Sequence, residues 1–195
     1  MLAEIDVKTG ERALETDDPM EVLRLAPRAG ENALRRIEKS LTAAEVSAAK
    51  VAGIPIPGAV ESLHAAHTSG RIVAIVSNNS AACVRGFLAI HDLDRFVHQV
   101  IGRYPNRPDL MKPSPSSLER AARELGVKTS VCTLIGDSTT DIEAAAQAGS
   151  MAIGFANKPG KEARLIAAGA KTIITTMLAA AEALSKSPSH GRPDR

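Results

Sequence analysis

The feature that most constrains this 195-residue chain is a change of pattern at one point. Val131-Cys132-Thr133-Leu134-Ile135 is a short, mostly apolar run bounded by Ser130 and Gly136, the mark of a buried strand. From Thr139 the sequence turns to helix formers, Asp141-Ile142-Glu143-Ala144-Ala145-Ala146-Gln147-Ala148, closed by Gly149. Asp137 therefore stands where a strand ends and a helix begins, with Asp141 one helical turn further on. Ligands of open α/β sheets bind at the carboxyl ends of the strands. Two carboxylates at such a joint, with no Lys or Arg between them, suit a hard divalent cation such as Mg²⁺, which prefers oxygen ligands. The competing reading is structural, with Asp137, Ser138 and Thr139 serving to cap the helix. Taken alone, the stretch does not separate the two.

The same alternation runs through the chain beyond residue 55. Strands are expected over 72–76, 96–101, 131–135, 151–156 and 171–175. Helices are expected over 60–68, 80–93, 114–125, 161–168 and 177–184. Strand and helix in strict turn imply parallel pairing with right-handed crossovers, and so a three-layer, Rossmann-like α/β sheet. The first part of the chain is different. Asp17-Asp18-Pro19 is a helix start, with Asp as N-cap and Pro in the first turn. Leu34, Ile37 and Leu41 recur at helical spacing, and Thr42-Ala43-Ala44-Glu45 reads as a capping box opening another helix. Gly53-Ile54-Pro55-Ile56-Pro57-Gly58 then breaks the pattern. The expected organisation is a small helical cap over 1–54, an α/β core over 55–184 and a disordered tail over 185–195.

Composition narrows the partners. With no Trp, one Tyr and three Phe, stacking on nucleic-acid bases is not expected. A net charge of +2, from 24 basic and 22 acidic residues, gives no pull toward a polyanion. No apolar run is long enough to span a membrane and no signal-peptide pattern opens the chain, so a cytoplasmic protein is expected. Cys83 and Cys132 fall inside predicted elements, as buried free thiols of a reducing compartment do. His64, His67, His91 and His98 show no zinc spacing. The sequence is silent on oligomeric state.

Two further segments carry chemistry. Ser77-Asn78-Asn79 follows the 72–76 strand directly and precedes a helix, where a hydroxyl and free backbone N–H groups make a cradle for a phosphoryl group. The plainer alternative makes Asn79 or Ser80 a simple N-cap. Lys112, in Leu110-Met111-Lys112-Pro113-Ser114-Pro115, lies just before another helix, where its ammonium can neutralise phosphate and carboxylate oxygens. Most loop lysines are only solvated. Asn157-Lys158-Pro159-Gly160-Lys161 also follows a strand at this sheet edge, and a solvated loop is again the simpler reading.

In order and spacing, Val76-Ser77-Asn78, Lys112-Pro113 and Gly136-Asp137-Ser138-Thr139-Thr140-Asp141 resemble the second, third and fourth motifs of the haloacid dehalogenase superfamily of phosphohydrolases. The helices before residue 55 resemble the mobile cap of many members. The resemblance implies a phosphatase-type hydrolase acting on a small phosphorylated substrate with Mg²⁺. Ser77 and Asn78 would hold the phosphoryl oxygens, Lys112 would offset charge at the reacting centre, and Asp137 would ligate Mg²⁺, with Asp141 supporting the metal directly or through water. Phosphoryl transfer of this kind rests mainly on positioning and charge stabilisation.

The chain departs from that pattern at the first motif, a strand ending in Asp-x-Asp whose first Asp is the nucleophile. No Asp-x-Asp occurs before residue 55. Asp6 is the nearest candidate, but Lys8 stands where the second Asp belongs, and Asp17-Asp18 already serves as a helix start. Two expectations follow: a hydrolase whose first-motif strand lies upstream of this sequence, or a non-catalytic relative that binds a phosphorylated ligand or a protein partner. In the family the first-motif strand lies between the strands of Ser77 and Asp137. A vacant lane is therefore expected there, flanked by strands about 10 Å apart, unless a segment such as 3–7 fills it.

Overall fold

In the computed structural model, residues 16–186 are described, and the alternation expected from the sequence is present. Helices α1 (Pro19–Leu25) and α2 (Glu31–Val51) come first, joined by a 3₁₀ turn, Ala26–Ala29. There follow α3 (Ala59–Thr68), β1 (Ala74–Val76), α4 (Ala81–Ile90), β2 (Gln99–Ile101), α5 (Ser116–Glu124), β3 (Thr133–Gly136) and α6 (Thr139–Gln147). Then come β4 (Met151–Phe155), α7 (Lys161–Ala167), β5 (Thr172–Ile174) and α8 (Met177–Lys186). The protein is α/β with parallel, Rossmann-like strands. Among the described residues no helix is long and apolar enough to cross a membrane.

The strands form two parallel sheets, β1–β2 and β3–β4–β5. No described strand hydrogen-bonds β1 to β3, in keeping with the lane expected between the strands of Ser77 and Asp137. Segment 3–7, with Asp6, lies outside the described residues. Backbone alternation shows which groups face the lane. Ser77 donates its N–H to Ile101 O at 2.9 Å and Val73 O accepts from His98 N at 2.8 Å, so the odd positions of this strand face β2. Val76 O faces the other way and accepts from Lys112 Nζ at 3.1 Å. Side chains join what the backbone does not. Leu118, Ala144 and Ala145 form one cluster against Val76 of β1 and Leu134 of β3.

Several expected boundaries move, each for a physical reason. The 131–135 strand is in fact Thr133–Gly136; Val131 lies in a 3₁₀ turn and is 72% exposed. Ile72, expected inside a buried strand, is half exposed ahead of β1. Phe96 is buried under a 3₁₀ turn with Leu88, Leu93 and Val100, which an apolar run does not distinguish from a strand. The predicted helix start at Thr42–Glu45 is corrected: α2 runs unbroken through it, because Thr42 and Glu45 are engaged with a distant partner instead of capping. Cys83 and Cys132 are free but only partly buried.

The helical unit and the core share one apolar cluster. Leu23, Ala26 and Leu34 bury themselves against Met111, the residue before Lys112, with Met20, Ile37 and Leu41 around them. Packing of the first helices thus ends at the loop that carries Lys112.

Candidate functional site

A crevice of about 470 Å³ opens where β1 and β3 end, lined by Asp18, Arg24, Ser77, Asn78, Lys112 and Asp137, with Ser138, Thr140 and Asp141 behind them. The five residues singled out from the sequence meet here, brought from strand ends and a loop that are far apart in the chain.

The α6 end shows why Asp137 and Asp141 differ. Ser138 is the N-cap of α6, its side chain accepting from Asp141 N, while Ser138 N donates back to Asp141 Oδ2 at 3.1 Å in a full capping box. Ser138 Oγ adds a bond to Asp141 Oδ2 at 2.7 Å. The other oxygen, Oδ1, lies 2.6 Å from Lys112 Nζ. Burial raises the Asp141 pKa, but the Lys112 ammonium and the Ser138 bonds outweigh it and hold the carboxyl below its usual range. Gly136 makes this fit possible, since a Cβ there would stand 2.4 Å from the Asp141 Cβ. Capping is therefore real, but Ser138 and Asp141 perform it together, and Asp137, which the competing reading made the cap, takes no part. Asp137 stays half exposed, touched by Asn157 Nδ2 at 3.3 Å and by the Lys161 ammonium.

Lys112 is buried although charged, which the interior tolerates only with partners. Its ammonium is shared between Asp141 and Val76 O. Its backbone is clasped by the Asn78 side chain: Lys112 N donates to Asn78 Oδ1 at 2.9 Å, and Asn78 Nδ2 donates to Lys112 O at 3.3 Å. Arg24 Nη2 donates to the same carbonyl at 3.0 Å. Ser77 Oγ accepts from Asn79 N at 3.1 Å, which leaves its hydroxyl hydrogen free to be aimed elsewhere. Of the two residues that the plainer alternative offered as N-cap, Ser80 caps α4, accepting from Cys83 N.

Three residues at the crevice went unassigned from the sequence. Arg24 reads only as an exposed helix residue, and Lys161 as part of a solvated loop. Asp18 caps α1 as expected, accepting from Met20 N at 2.9 Å, but also lines the crevice. Lys161 stands at the start of α7, after the strand neighbouring that of Asp137, and that position was its only available signal.

Comparison with known proteins agrees with this geometry. The family model for haloacid dehalogenase-like hydrolases matches residues 8–149. A phosphoglycolate phosphatase of Salmonella typhimurium is 31% identical over 99 residues, 51% of this chain and 38% of that protein. A beta-phosphoglucomutase of Mycobacterium tuberculosis is 35% identical over 121 residues, 59% of this chain and 45% of that protein. The chain thus spans less than half the length of these curated relatives. A crystal structure of a HAD family hydrolase from Deinococcus radiodurans, with bound phosphate and sodium, superposes with a TM-score of 0.61 at 23% identity, covering 95% of this chain and 91% of that one. At that identity the likeness speaks for the fold. With the family model matching well over half of its length, the chain belongs to the haloacid dehalogenase-like hydrolases.

Proposed function

We propose that the crevice receives the phosphoryl group of a small phosphorylated metabolite, together with Mg²⁺, as in a phosphatase. The observation that supports this most is the setting of Lys112: a nearly buried ammonium beside the mouth of β1, with Ser77 and Asn78 on one side and Asp141 on the other. Ser77 would offer its hydroxyl and the loop its backbone N–H groups to the phosphoryl oxygens. Asn78 has a different part, since both ends of its amide already hold the Lys112 backbone; it shapes the cradle. The Lys112 ammonium would lie against the phosphate as a point charge.

The donor chemistry fits Mg²⁺ in part of its shell. Among the described residues no group of three or more His, Cys, Asp or Glu gathers at one point. Mg²⁺ does not demand one, because it keeps several waters and takes one or two carboxylates plus phosphate oxygens. Asp137, half exposed and at the crevice, would supply the carboxylate, and Asp141 would act behind it by fixing Ser138 and Lys112. Bound there, the ion would neutralise charge on the phosphoryl oxygens.

The test is titration with orthophosphate, followed by ³¹P NMR, with and without Mg²⁺. Binding that tightens with Mg²⁺ and is lost in Ser77→Ala together with Asp137→Asn is the expected result; a chain indifferent to phosphate would sink the reading. A second reading, binding without turnover, is favoured by one observation: among the described residues Asp141 is the carboxylate paired with Lys112, and its oxygens are engaged. Hydrolysis of p-nitrophenyl phosphate separates the two. Mg²⁺-dependent turnover favours the phosphatase and points to a nucleophile within this sequence, Asp6 first, whereas phosphate binding without turnover favours the second reading.

A further inference from the structure

Behind the crevice lies a buried ionic cluster that no part of the proposed chemistry uses. Glu38 and Glu45 stand seven residues apart on α2, two turns along one face, about 10.5 Å apart along the axis. Both point at Arg103, just beyond β2. Arg103 is 4% exposed, Glu38 8% and Glu45 9%. Arg103 Nε donates to Glu38 Oε1 at 2.7 Å, Nη1 to Glu45 Oε1 at 2.5 Å and Nη2 to Thr42 Oγ1 at 2.9 Å. All three nitrogens of the planar guanidinium are engaged, in a fork that a lysine could not reproduce.

The cluster continues to the crevice through the backbone. Arg103 Nη1 also donates to Asn78 O at 3.3 Å, and Arg103 N donates to Asn79 O at 3.0 Å. Ser80 N donates to Glu45 Oε2 at 2.9 Å, placing a carboxylate at the start of α4. Gly102 brings the two chains this close, since a Cβ there would meet Ala81 N at 2.1 Å. Three successive residues, Asn78, Asn79 and Ser80, are thus held from behind, and Asn78 in turn holds the Lys112 backbone.

We propose that Arg103 is a positioning residue for the phosphate cradle: anchored by Glu38 and Glu45, it fixes the shape of the 77–80 loop and, through Asn78, the place of Lys112. The proposal rests on the reading of Ser77 and Lys112 as phosphate receivers. It also assigns the helical unit a fixed role, in which α2 is bolted to the loop that forms the site. A buried ion triad contributes little net stability compared with neutral groups of similar size, so its cost is accounted for if it supplies geometry.

The test separates geometry from stability. Arg103→Met alone would leave two carboxylates buried without a partner and is expected to fold poorly. The triple variant Arg103→Met, Glu38→Gln, Glu45→Gln removes every charge of the cluster and is expected to melt near the wild type. If Arg103 positions the loop, this folded variant binds orthophosphate at least about tenfold more weakly, and its backbone amides at positions 80 and 103 exchange at least about tenfold faster relative to those of β4. Arg103→Lys, which keeps the charge but not the fork, should show the same loss. A folded triple variant with wild-type phosphate affinity and wild-type exchange at these amides would overturn the proposal. Should no variant fold, the wild type still decides: a Ser80 amide exchanging as fast as an open loop rejects the clamp, and protection comparable to β4 supports it. A wild type that takes up no orthophosphate would defeat the phosphate reading instead, while the exchange measurement, which needs no phosphate, still judges Arg103.

Discussion

Two lysine–aspartate pairs meet at the same crevice, and their carboxylates are four residues apart. Lys112 and Asp141 lie 2.6 Å apart with side chains 10% and 8% exposed. Lys161 and Asp137 also pair, but their side chains are 26% and 48% exposed. The first pair is dry, and Ser138 and Val76 O complete its hydrogen bonding. Among the described residues the second is joined by Asn157 and faces water. A buried ion pair that loses one partner leaves an uncompensated charge, whereas an exposed one returns its partner to water. The difference separates the duties of the two aspartates. Asp141 is locked into the fold, whereas Asp137, half exposed, is placed as the proposed Mg²⁺ role requires.

Stability gives the largest contrast. Lys112→Met leaves Asp141 buried and unpaired and should cost about 3–5 kcal/mol in urea unfolding. Lys161→Met should cost at most about 1 kcal/mol. Equal costs would erase the distinction between the pairs.

Metal binding should invert the order. By calorimetry, Asp137→Asn is expected to remove Mg²⁺ binding more completely than Asp141→Asn, since Asp141 has both oxygens committed. Equal or reversed losses would reject the division of duties.

Acid sharpens the same point through linkage. The Asp141 carboxyl titrates lower in the folded protein than its ordinary 3.8. A depressed carboxyl adds stability at pH values above the unfolded pKa, and that contribution is lost as pH falls through the folded one. Asp141→Asn should therefore flatten the acid limb of stability against pH below about 4. An acid limb unchanged in that variant would show that burial cancels the Lys112 and Ser138 interactions, and a steeper one that burial had won.

What could be read in advance followed the range of the interactions. The five strands were legible because strand and helix periods, Gly and Pro are local signals, and the convergence of Ser77, Lys112 and Asp137 followed from the family resemblance and from ligands binding at the carboxyl ends of strands. Strand ends were less so: Val131 and Ile72 are apolar yet exposed, and an apolar run does not mark where the hydrogen-bonded ladder stops. The capping box at Thr42–Glu45 failed for a different reason. Glu45 is held by Arg103, 58 residues away, and nothing local distinguishes a glutamate facing such a partner from one that caps. Lys161 meets Asp137 across 24 residues; its place after a strand at the same sheet edge was legible, but the pairing was not. That β1 and β3 are not paired with each other among the described strands was foreseeable, because in the family the first-motif strand lies between them.

The smallest effect is also the cleanest way to tell the pairs apart. Salt screens charges that face water, with a Debye length of about 10 Å at 0.1 M and about 3 Å at 1 M, and acts much less on charges already withdrawn from it. Lys161→Met compared with the wild type should therefore show a stability difference of a few tenths of a kcal/mol at low salt that vanishes near 1 M. Lys112→Met should keep most of its larger cost across the same range, because Asp141 stays buried whatever the ionic strength. The comparison is made at constant pH near neutrality. If the cost of Lys112→Met fell with salt in step with that of Lys161→Met, Asp141 would have to be reached by solvent ions. The two pairs would then differ in degree only, and the assignment of Asp141 to the fold and Asp137 to the ligand would lose its physical basis.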